Sequence, residues 1–453
     1  MMSELGRLVG TIAPRTGFPT VEQMLAFTRD LAERFPSVAS TRVIGMSRAG
    51  DPIHAVTVGD GSRHAIVVGN PHPNEPVGLV TIQHLLTRLC QDDALRAELD
   101  ITWHFVPCVD PDGTRRNEGW YGGPITRSHY ARHFYRPSAD EQAEWSFPVQ
   151  WAGKTFGNPI PETQALMQLI DATRPEFLAS LHNAEINRGF FYVTGGDTEY
   201  WAGLTGLLAD AGIAVERGLS DTPGARTFAP GVYEASPFGV THDVIAQADP
   251  QAAAALSGGS TRDYSAQYGT SILICEVPLW AIPEADDDSP GSRSMRDLLH
   301  AAAAANRENA DLFTGILKRL DGRLPDANPF YRAIVKSLPR WAAFFDGKAA
   351  VADSADDRTA TRSEEFTELY GVPEMLKLRI GGMLLQLFDE VDPSGVDADI
   401  QRERRDFAEV FDGWCADVDA HRPGESIPIA TLAAVQAGAI VLAATRIRDG
   451  LPA

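Results

Sequence analysis

Short apolar runs alternate with amphipathic segments from about residue 42 to residue 320, and this alternation constrains the fold more than any other feature of the chain. The apolar runs predict buried strands, and the segments between them predict helices. The predicted strands are residues 42–44, 53–58, 65–68, 102–107, 177–182, 190–193 and 271–277, and the predicted helices include residues 76–89, 162–172, 198–211 and 293–317. Such alternation builds a sheet covered by helices on both faces. We therefore expect an α/β fold with a mixed, mainly parallel sheet sandwiched by helices.

Beyond about residue 321 the pattern changes to helices alone. Predicted helices cover residues 332–345, 364–370, 373–391, 400–418 and 428–448, and turn residues such as Asp346-Gly347 and Pro423-Gly424 separate them. We therefore predict two regions, an α/β domain at residues 1–320 and an all-helical C-terminal extension at residues 321–453. We expect the extension either to wall a cleft of the first domain or to form the surface of a homo-oligomer.

Charge and composition exclude several classes of partner. The net charge of −21 disfavours binding to nucleic acid or to an anionic membrane through a broad basic face. The N-terminal segment lacks the pattern of a signal peptide, and four scattered cysteines do not form a disulfide framework, so we expect a cytoplasmic protein. Residues 427–445 are almost long enough to span a bilayer, but Gln436 and the many alanines favour a buried C-terminal helix.

A histidine and a glutamate lie three residues apart just after the predicted strand 65–68. His72 and Glu75 are suitable zinc ligands, and a catalytic zinc needs one more protein ligand and an open position for water. His182, which ends another predicted strand, is well placed to be that ligand. In the alternative interpretation His72 is a polar loop residue, and Glu75 only opens a helix, where its charge suits the dipole. The motif alone leaves both interpretations open.

Further motifs follow in order along the chain. They are the segment 42–53 (RVIGMSRAGDPI), Asp110-Pro111-Asp112-Gly113 after a strand, Pro161-Glu162-Thr163 opening a helix, FLASLHNAE around His182, and Ile274-Cys275-Glu276-Val277-Pro278. Together with the histidine and glutamate pair, this series resembles the M14 family of zinc metallocarboxypeptidases over about residues 42–280. The family usually has Asn where Asp110 stands. Its third metal ligand is a lone histidine about a hundred or more residues after the first pair, and here the gap is 182 − 75 = 107.

The resemblance implies a zinc carboxypeptidase-like fold and one zinc ion held by His72, Glu75 and His182. It also implies that Glu276 is the general base, which takes a proton from the metal-activated water and passes it to the leaving amine. Alternatively, Glu276 is a buried carboxylate that pairs with a neighbouring arginine. Glu185 is a second candidate near the third ligand.

Arginines are dense between residues 114 and 136, which suggests a site for an anion in this acidic protein. The resemblance implies that Arg115 or Arg116 acts on the oxyanion side, and we assign both to catalysis. Arg132, with Arg127 as a further candidate, is expected to bind the substrate carboxylate, although Ala131 stands where the family usually has Asn. For each arginine the alternative is a surface salt bridge. The arginines between residues 114 and 136 are Arg115, Arg116, Arg127, Arg132 and Arg136.

A glycine-containing loop before Glu276 resembles the family's specificity loop. Within it, Arg262 is expected to meet the substrate side chain and to favour an acidic residue, unless it simply pairs with Asp263. Many family members carry a tyrosine just before this loop. Here Tyr264 or Tyr233 would have to replace it, and we assign Tyr264 to substrate binding.

The sequence therefore predicts a zinc metallocarboxypeptidase that removes a C-terminal residue from a small peptide or peptide-like amide. The main alternative is a zinc amidohydrolase or deacylase of N-acyl amino acids, similar to aspartoacylases and desuccinylases. A third hypothesis is a metal-binding scaffold without catalysis, and the presence of Glu276 together with all three ligands disfavours it.

Overall fold

The computed structural model describes residues 2–186, 188–218, 220–354 and 357–453. The chain divides into two compact units. The first consists of Met1–Gly122, Ala139–Leu279 and Ile427–Ala453, and the second of Gly123–Ser138 and Trp280–Ser426. The predicted boundary at residue 320 does not coincide with this division, because the compact second unit begins its long segment at Trp280 and the last helix belongs to the first unit.

The strands of the described residues agree closely with the seven predicted ones and add several short ones. They are β1 (Ala39–Met46), β2 (Pro52–Val58), β3 (Arg63–Gly69), β4 (Ile101–Val106), β5 (Val149–Trp151), β6 (Lys154–Phe156), β7 (Phe177–Ile186), β8 (Phe190–Val193), β9 (Thr227–Ala229), β10 (Val232–Glu234), β11 (Ser271–Ala281), β12 (Pro290–Ser294), β13 (Thr359–Thr361) and β14 (Glu425–Ser426).

Helices account for most of the remaining chain. They are α1 (Met2–Val9), α2 (Val21–Arg34), α3 (Val77–Gln91), α4 (Asp93–Leu99), α5 (Pro111–Tyr121), α6 (Arg127–Arg132), α7 (Pro161–Thr173), α8 (Thr198–Asp210), α9 (Phe238–Ala248), α10 (Pro250–Ala254), α11 (Thr261–Ser265), α12 (Met295–Arg319), α13 (Pro329–Ser354), α14 (Arg362–Phe366), α15 (Val372–Val391), α16 (Ala398–His421) and α17 (Ile429–Arg448).

The central sheet of the first unit has the strand order β1-β2-β4-β3-β7-β11-β8-β10-β9. Strands β4, β3 and β7 are parallel at its centre, with Val67 paired to Phe105 on one side and to Ala179 on the other. Strands β1 and β2 are antiparallel at one edge, and β8 runs antiparallel to β11. The predicted mixed sheet with helices packed on it is thereby confirmed.

Burial explains why the central strands read as continuous apolar runs. Every residue of β4 is buried, and so are the last five residues of β3, because helices cover both faces of a parallel sheet. Helix α3 packs closely on this layer at Gly78, where an added Cβ would lie 2.8 Å from the Cβ of Leu181 in β7. The ends of β3 and β7 are therefore held against the start of α3.

The second unit is largely helical, as predicted for most of the C-terminal region. Helix α12 packs along α13, and α15 packs against both α6 and α16. A two-stranded antiparallel sheet joins β12 to β13, and β14 pairs with Trp280 and Ala281 at the end of β11. The segment Gly123–Ser138 belongs to this unit although it lies far from the others in sequence.

Helix α17 lies in the first unit and packs against α3, α1 and α8. By length and composition alone it is apolar enough to cross a membrane, but 78% of its most apolar 18-residue window is buried inside the structure. Its polar residue Gln436 is fully buried. The helix thus has the features of a core helix, which agrees with the prediction from the sequence.

Candidate metal centre

A tight turn after β3 places the first two predicted ligands. Asn70 adopts a left-handed backbone conformation with φ of 48°, which asparagine tolerates better than most residues. Its side-chain amide donates to Thr114 and Tyr121 of α5, and the Tyr121 hydroxyl donates to the carbonyl of Pro73. The backbone N–H of Glu75 then donates to the carbonyl of His72, which closes the turn. The turn is thus fixed from the side of α5.

The third predicted ligand comes from the interior of β7. His182 lies on this buried strand, and its neighbour Asn183 accepts a hydrogen bond of 3.3 Å from the backbone N–H of Val77 at the start of α3. Asn183 thereby satisfies one of the free N–H groups at the helix N-terminus. The strand that carries His182 is in this way tied to the helix that follows Glu75.

The structure brings His72, Glu75 and His182 together around one point. The two Nδ1 atoms are 3.1 Å apart, and the Glu75 carboxylate lies between them, with Oε1 3.1 Å from Nδ1 of His72 and Oε2 2.9 Å from Nδ1 of His182. All three side chains are buried. Tetrahedral zinc with ligands at about 2.0–2.1 Å separates its ligand atoms by roughly 3.3 Å. The three residues therefore fit a single zinc ion.

A second carboxylate lies on the other side of His182. Nε2 of His182 is 2.8 Å from Oε2 of Glu144 and 3.1 Å from the Ser180 hydroxyl. Possible ligand atoms of His72, Glu144 and His182 also lie within 4.8 Å of one another, so two overlapping ligand sets exist, one with Glu75 and one with Glu144. We favour the set with Glu75, because both of its oxygens face the shared side of the two imidazoles, whereas Glu144 faces the far nitrogen of His182.

Trp145 occupies the corresponding far side of His72. Its indole N–H donates to Nε2 of His72 at 3.1 Å, which fits the metal-free tautomer with its proton on Nδ1. Because a metal on Nδ1 moves that proton to Nε2, this contact must open when the metal binds. The two rings are nearly parallel, with centroids 6.3 Å apart. The indole is partly exposed, in contrast to the buried imidazole. Glu144 and Trp145 belong to one short 3-10 turn, so a single turn supplies the outer contact of each histidine.

The carboxylates around His182 dominate its electrostatics. Burial disfavours a charged imidazole, but Glu144, Glu75 and Glu276 outweigh burial and raise the pKa of His182 well above its ordinary value. Burial likewise disfavours the ionised form of Glu144, but His182 and His72 lower the pKa of this carboxyl. The cluster therefore concentrates negative charge in a buried place, which favours a bound cation.

Glu276 lies beside this cluster. Strand β11 carries it opposite Phe190 of β8, and its Oε1 is 3.8 Å from Nδ1 of His182. Its side chain keeps 17% exposure, in contrast to the more deeply buried ligand side chains. Glu276 is thus a carboxylate on the ligand side of His182 that still reaches solvent.

The predicted arginines are dispersed. Arg115 in α5 donates to the carboxylates of Asp51 and Glu22, both at 2.7 Å, and Arg116 follows it on the same helix. Arg132 belongs to the second unit, where it pairs with Asp412 at 2.8 Å. Arg115 and Arg132 thus both form salt bridges, which is the alternative that the sequence left open for each arginine.

Arg127 conflicts with its predicted role in substrate binding. It lies in the second unit with no exposed side-chain surface, where it pairs with Glu374 and donates to the carbonyl of Arg422 at 2.8 Å. A guanidinium enclosed in this way has no face left for a substrate. Its short sequence distance from Arg115 suggested a common anion site, but the chain enters the other unit at Gly123.

The residues that we predicted to contact the substrate side chain, in and near the glycine-containing loop, lie in the first unit. Arg262 donates from Nε to the carbonyl of Ala235 at 3.0 Å, and the capping box at the start of α11 uses Asp263 instead. The Tyr264 hydroxyl donates to Asp171 at 2.7 Å, and burial raises the pKa of this tyrosine. Tyr233, the alternative, is buried and donates to the carbonyl of Gly218.

The sequence did not indicate Glu144 or Trp145 as parts of this centre, nor Gln436, whose side-chain amide donates to the backbone carbonyl of His182. The predicted ligands follow or end buried strands, whereas Glu144 and Trp145 lie in a short 3-10 turn. A glutamate-tryptophan pair in a polar loop gives no signal of its own, and in the sequence Gln436 is only a polar residue in an apolar helix.

Comparisons with known proteins agree with the sequence resemblance. Residues 24–202 match the family model described as zinc carboxypeptidase, peptidase M14. This segment contains both histidines, Glu75 and Glu144, and ends before Glu276. No match to a curated protein is found.

Several solved structures show a limited similarity to this chain. Carboxypeptidase A from Helicoverpa armigera is 15% identical over 62% of this chain and 71% of its own, with a TM-score of 0.40. A metallo-carboxypeptidase from Burkholderia cenocepacia is 17% identical over 57% of this chain and 60% of its own, with a TM-score of 0.35. Bovine thrombin-activatable fibrinolysis inhibitor, in complex with tick carboxypeptidase inhibitor, is 10% identical over 57% of this chain and 86% of its own, with a TM-score of 0.37.

Proposed function

We propose that this chain is a zinc-dependent hydrolase that removes a C-terminal residue from a small peptide or peptide-like amide. The match of residues 24–202 to the zinc carboxypeptidase family model supports this proposal. The observation that carries the proposal is the convergence of Nδ1 of His72, Nδ1 of His182 and the Glu75 carboxylate within 3.1 Å of one another. Two imidazoles and a carboxylate are the donor set of known catalytic zinc sites that hydrolyse peptide bonds.

In this proposal the three residues hold one zinc ion. A zinc ion bound there supplies a water of lowered pKa and polarises the scissile carbonyl. Glu276 accepts a proton from the attacking water at its carboxylate and later delivers it to the leaving amine. Its partial exposure supports this role, because the group must meet both the water and the substrate.

Recognition of the substrate carboxylate is the less supported part of the proposal. Arg132 pairs with Asp412, and Arg127 is enclosed in the second unit, so neither supports capture of a C-terminal carboxylate. Arg115 is likewise held by the carboxylates of Asp51 and Glu22, so Arg116 and Arg262 remain the candidates in the unit that carries the metal centre. The second proposed function is a zinc amidohydrolase that deacylates N-acyl amino acids, whose substrates also present a carboxylate and would use the same arginines.

The test begins with metal analysis of the purified full-length chain. A C-terminal peptide library and a panel of N-acyl amino acids are then offered to the zinc-loaded protein, and the products are read by mass spectrometry. Release of single C-terminal residues supports the first function, and release of acyl groups supports the second. A protein that binds no stoichiometric metal contradicts both.

A pair of variants tests the general base. Glu276→Gln should lower kcat by about 10²–10⁴-fold at unchanged zinc content, because a neutral amide cannot accept the proton. Glu185→Gln is the matched control, since Glu185 lies half-buried three residues after His182. If Glu185→Gln abolishes turnover and Glu276→Gln does not, the assignment of the base is wrong.

A further inference from the structure

Glu144 is a buried carboxylate that the proposed reaction does not use. Only 3% of the residue is exposed, and Oε2 lies 2.8 Å from Nε2 of His182. The Thr261 hydroxyl donates to Oε1 at 3.4 Å. A buried charge is costly unless a partner offsets it. The Glu144 carboxylate therefore needs a partner of opposite charge or strong polarity.

The two nitrogens of His182 face different groups. Nδ1 faces Glu75, His72 and Glu276, whereas Nε2 faces Glu144 and Ser180. A neutral imidazole that gives one lone pair to a metal carries its proton on the other nitrogen. Metal-binding histidines commonly donate that N–H to a carboxylate, which fixes the tautomer and the ring orientation.

From this geometry we propose that Glu144 is a positioning residue, which accepts the Nε2–H of His182 and so holds Nδ1 free and correctly aimed for the metal. The inference rests on the proposed zinc site. It departs from the other arrangement that the distances allow, in which Glu144 itself completes a ligand set with the two histidines.

The segment that carries Glu144 is anchored on both sides. Arg48 donates to the carboxylate of Glu141 at 3.2 Å and to its carbonyl at 3.1 Å, and the Thr163 hydroxyl donates to the carbonyl of Ala143 at 2.7 Å. After the turn, Phe147 exchanges backbone hydrogen bonds with Gly259. The carboxylate is therefore placed by the framework of the first unit rather than by the metal.

Glu276, on the side of the site that reaches solvent, differs from Glu144 in a way that supports this assignment. Glu276 reaches Nδ1 only at 3.8 Å and keeps some exposure, as a group that meets substrate must. Oε2 of Glu144 lies 2.8 Å from the opposite nitrogen and is enclosed, although the angle of this contact departs from that of a formed hydrogen bond, which Nε2 makes with the Ser180 hydroxyl at 3.1 Å. A role through His182, rather than on the substrate, follows from this placement.

The experiment compares zinc affinity and cobalt spectra of the full chain and its variants. Zinc dissociation constants are measured by competition with a chromophoric chelator, and the d–d absorption of the cobalt-substituted protein reports the ligand geometry. Glu144→Gln keeps the shape of the side chain and removes its charge. Glu144→Ala removes the acceptor. Glu75→Gln serves as the ligand control, and Glu141→Gln serves as the loop control.

We expect Glu144→Ala to weaken zinc binding about 10–100-fold and Glu144→Gln to weaken it by less, with one metal still bound and a tetrahedral cobalt spectrum that is only slightly shifted. Glu141→Gln should bind zinc like the unmodified chain, and Glu75→Gln should lose most affinity. If Glu144→Ala does not fold, the isosteric Glu144→Gln decides alone.

Three outcomes overturn the proposal. Unchanged zinc affinity and spectrum in both Glu144 variants would show that the contact does not position His182. A loss in Glu144→Gln as complete as in Glu75→Gln would make Glu144 a metal ligand. An equal loss in Glu141→Gln would make the effect one of loop structure. If the unmodified chain binds no zinc, the proposed function itself fails, and this result is distinct from the other three.

Discussion

The side-chain amide of Gln436 donates a 2.7 Å hydrogen bond to the backbone carbonyl of His182, and its oxygen accepts one of the same length from the Thr81 hydroxyl. Gln436 and Thr81 are both fully buried. One side chain of the last helix thus joins the strand that carries the third predicted ligand to helix α3, which follows the first two. The C-terminal helix is in this way part of the support of the metal centre.

Replacement of Gln436 by Met should destabilise the first unit and weaken its metal site. Methionine fills a similar volume but leaves the carbonyl of His182 and the Thr81 hydroxyl without this partner, at a cost of about 1–3 kcal/mol. We expect the melting temperature to fall by several degrees and zinc affinity to fall a few-fold. Differential scanning calorimetry and chelator competition measure the two effects.

Thr445→Ala is the control on the same helix. The Thr445 hydroxyl bonds only the carbonyl of Val441 one turn earlier, so its removal should leave zinc affinity unchanged. An equal loss of zinc affinity in both variants would mean that helix packing in general, and not the Gln436 bridge, supports the site.

Replacement of Asp110 by Asn should stabilise the protein, and more so at higher pH. Burial raises the pKa of Asp110 to about 7, although its bond from the Gly113 N–H works in the opposite direction. The folded carboxyl is thus protonated over a range where the unfolded one is ionised, and stability contributed by this group falls as pH rises from about 4 to about 7. Asparagine keeps the helix cap and cannot ionise.

Thermal unfolding at several pH values checks this prediction. We expect the advantage of Asp110→Asn to grow by about 2–3 kcal/mol between pH 5 and pH 8, an order-of-magnitude figure from the linkage relation. Asp112→Asn is the contrasting variant, because Asp112 accepts bonds from Ser47 and Ala49 and should lose stability instead. An advantage of Asp110→Asn that is the same at both pH values contradicts the raised pKa.

Replacement of Arg127 by Met should destabilise the second unit without removing the metal. The change deletes the fully enclosed guanidinium that pairs with Glu374 and donates to the carbonyl of Arg422. Breaking a buried pair of this kind costs about 3–5 kcal/mol. We expect a lower unfolding temperature and unchanged zinc stoichiometry, measured by calorimetry and metal analysis.

The surface counterpart is Arg132→Gln. Its pair with Asp412 is exposed on both sides, at 40% and 61%, so the stability should change by less than about 1 kcal/mol. A large loss of carboxypeptidase turnover in Arg132→Gln, with stability unchanged, would restore the substrate role first predicted for this arginine.

Zinc binding should strengthen as pH rises. The surrounding carboxylates raise the pKa of His182 above its ordinary value, which favours the doubly protonated imidazole in the metal-free chain, and zinc must displace the proton on Nδ1. The affinity should therefore rise by up to about tenfold per pH unit for each proton released. Zinc titrations at pH 6, 7 and 8, in a non-chelating buffer, measure the slope. An affinity that is flat over this range would show that His182 is already neutral.

The main strands and the ligand residues could be predicted because their signals are local. Apolar runs mark the buried strands, and His72 and Glu75 lie within one turn at the end of such a run. His182 stands at a second strand of the same parallel group, so the topology alone brings it near the first pair. These features need no knowledge of distant contacts.

The remaining site features depend on partners that are remote in sequence. Glu144 belongs to the site only through its contact with His182, which lies 38 residues later, and the turn that carries Glu144 has no periodic pattern. In the sequence Arg127 cannot be distinguished from Arg115 and Arg116. In the structure its buried guanidinium donates to the carboxylate of Glu374, which lies 247 residues later. The strands β9 and β10 have three residues each, too short for a run to be recognised.

The first unit closes with Ile427–Ala453, which the chain delivers after all of Trp280–Ser426. During synthesis, the segments that make up the second unit therefore leave the ribosome before the first unit has its last helix. Until then His182 lacks its bond from Gln436, and helices α1, α3 and α8 lack the helix that packs against them. Nascent chains stalled before residue 427 should accordingly hold zinc poorly, however complete their ligand residues are.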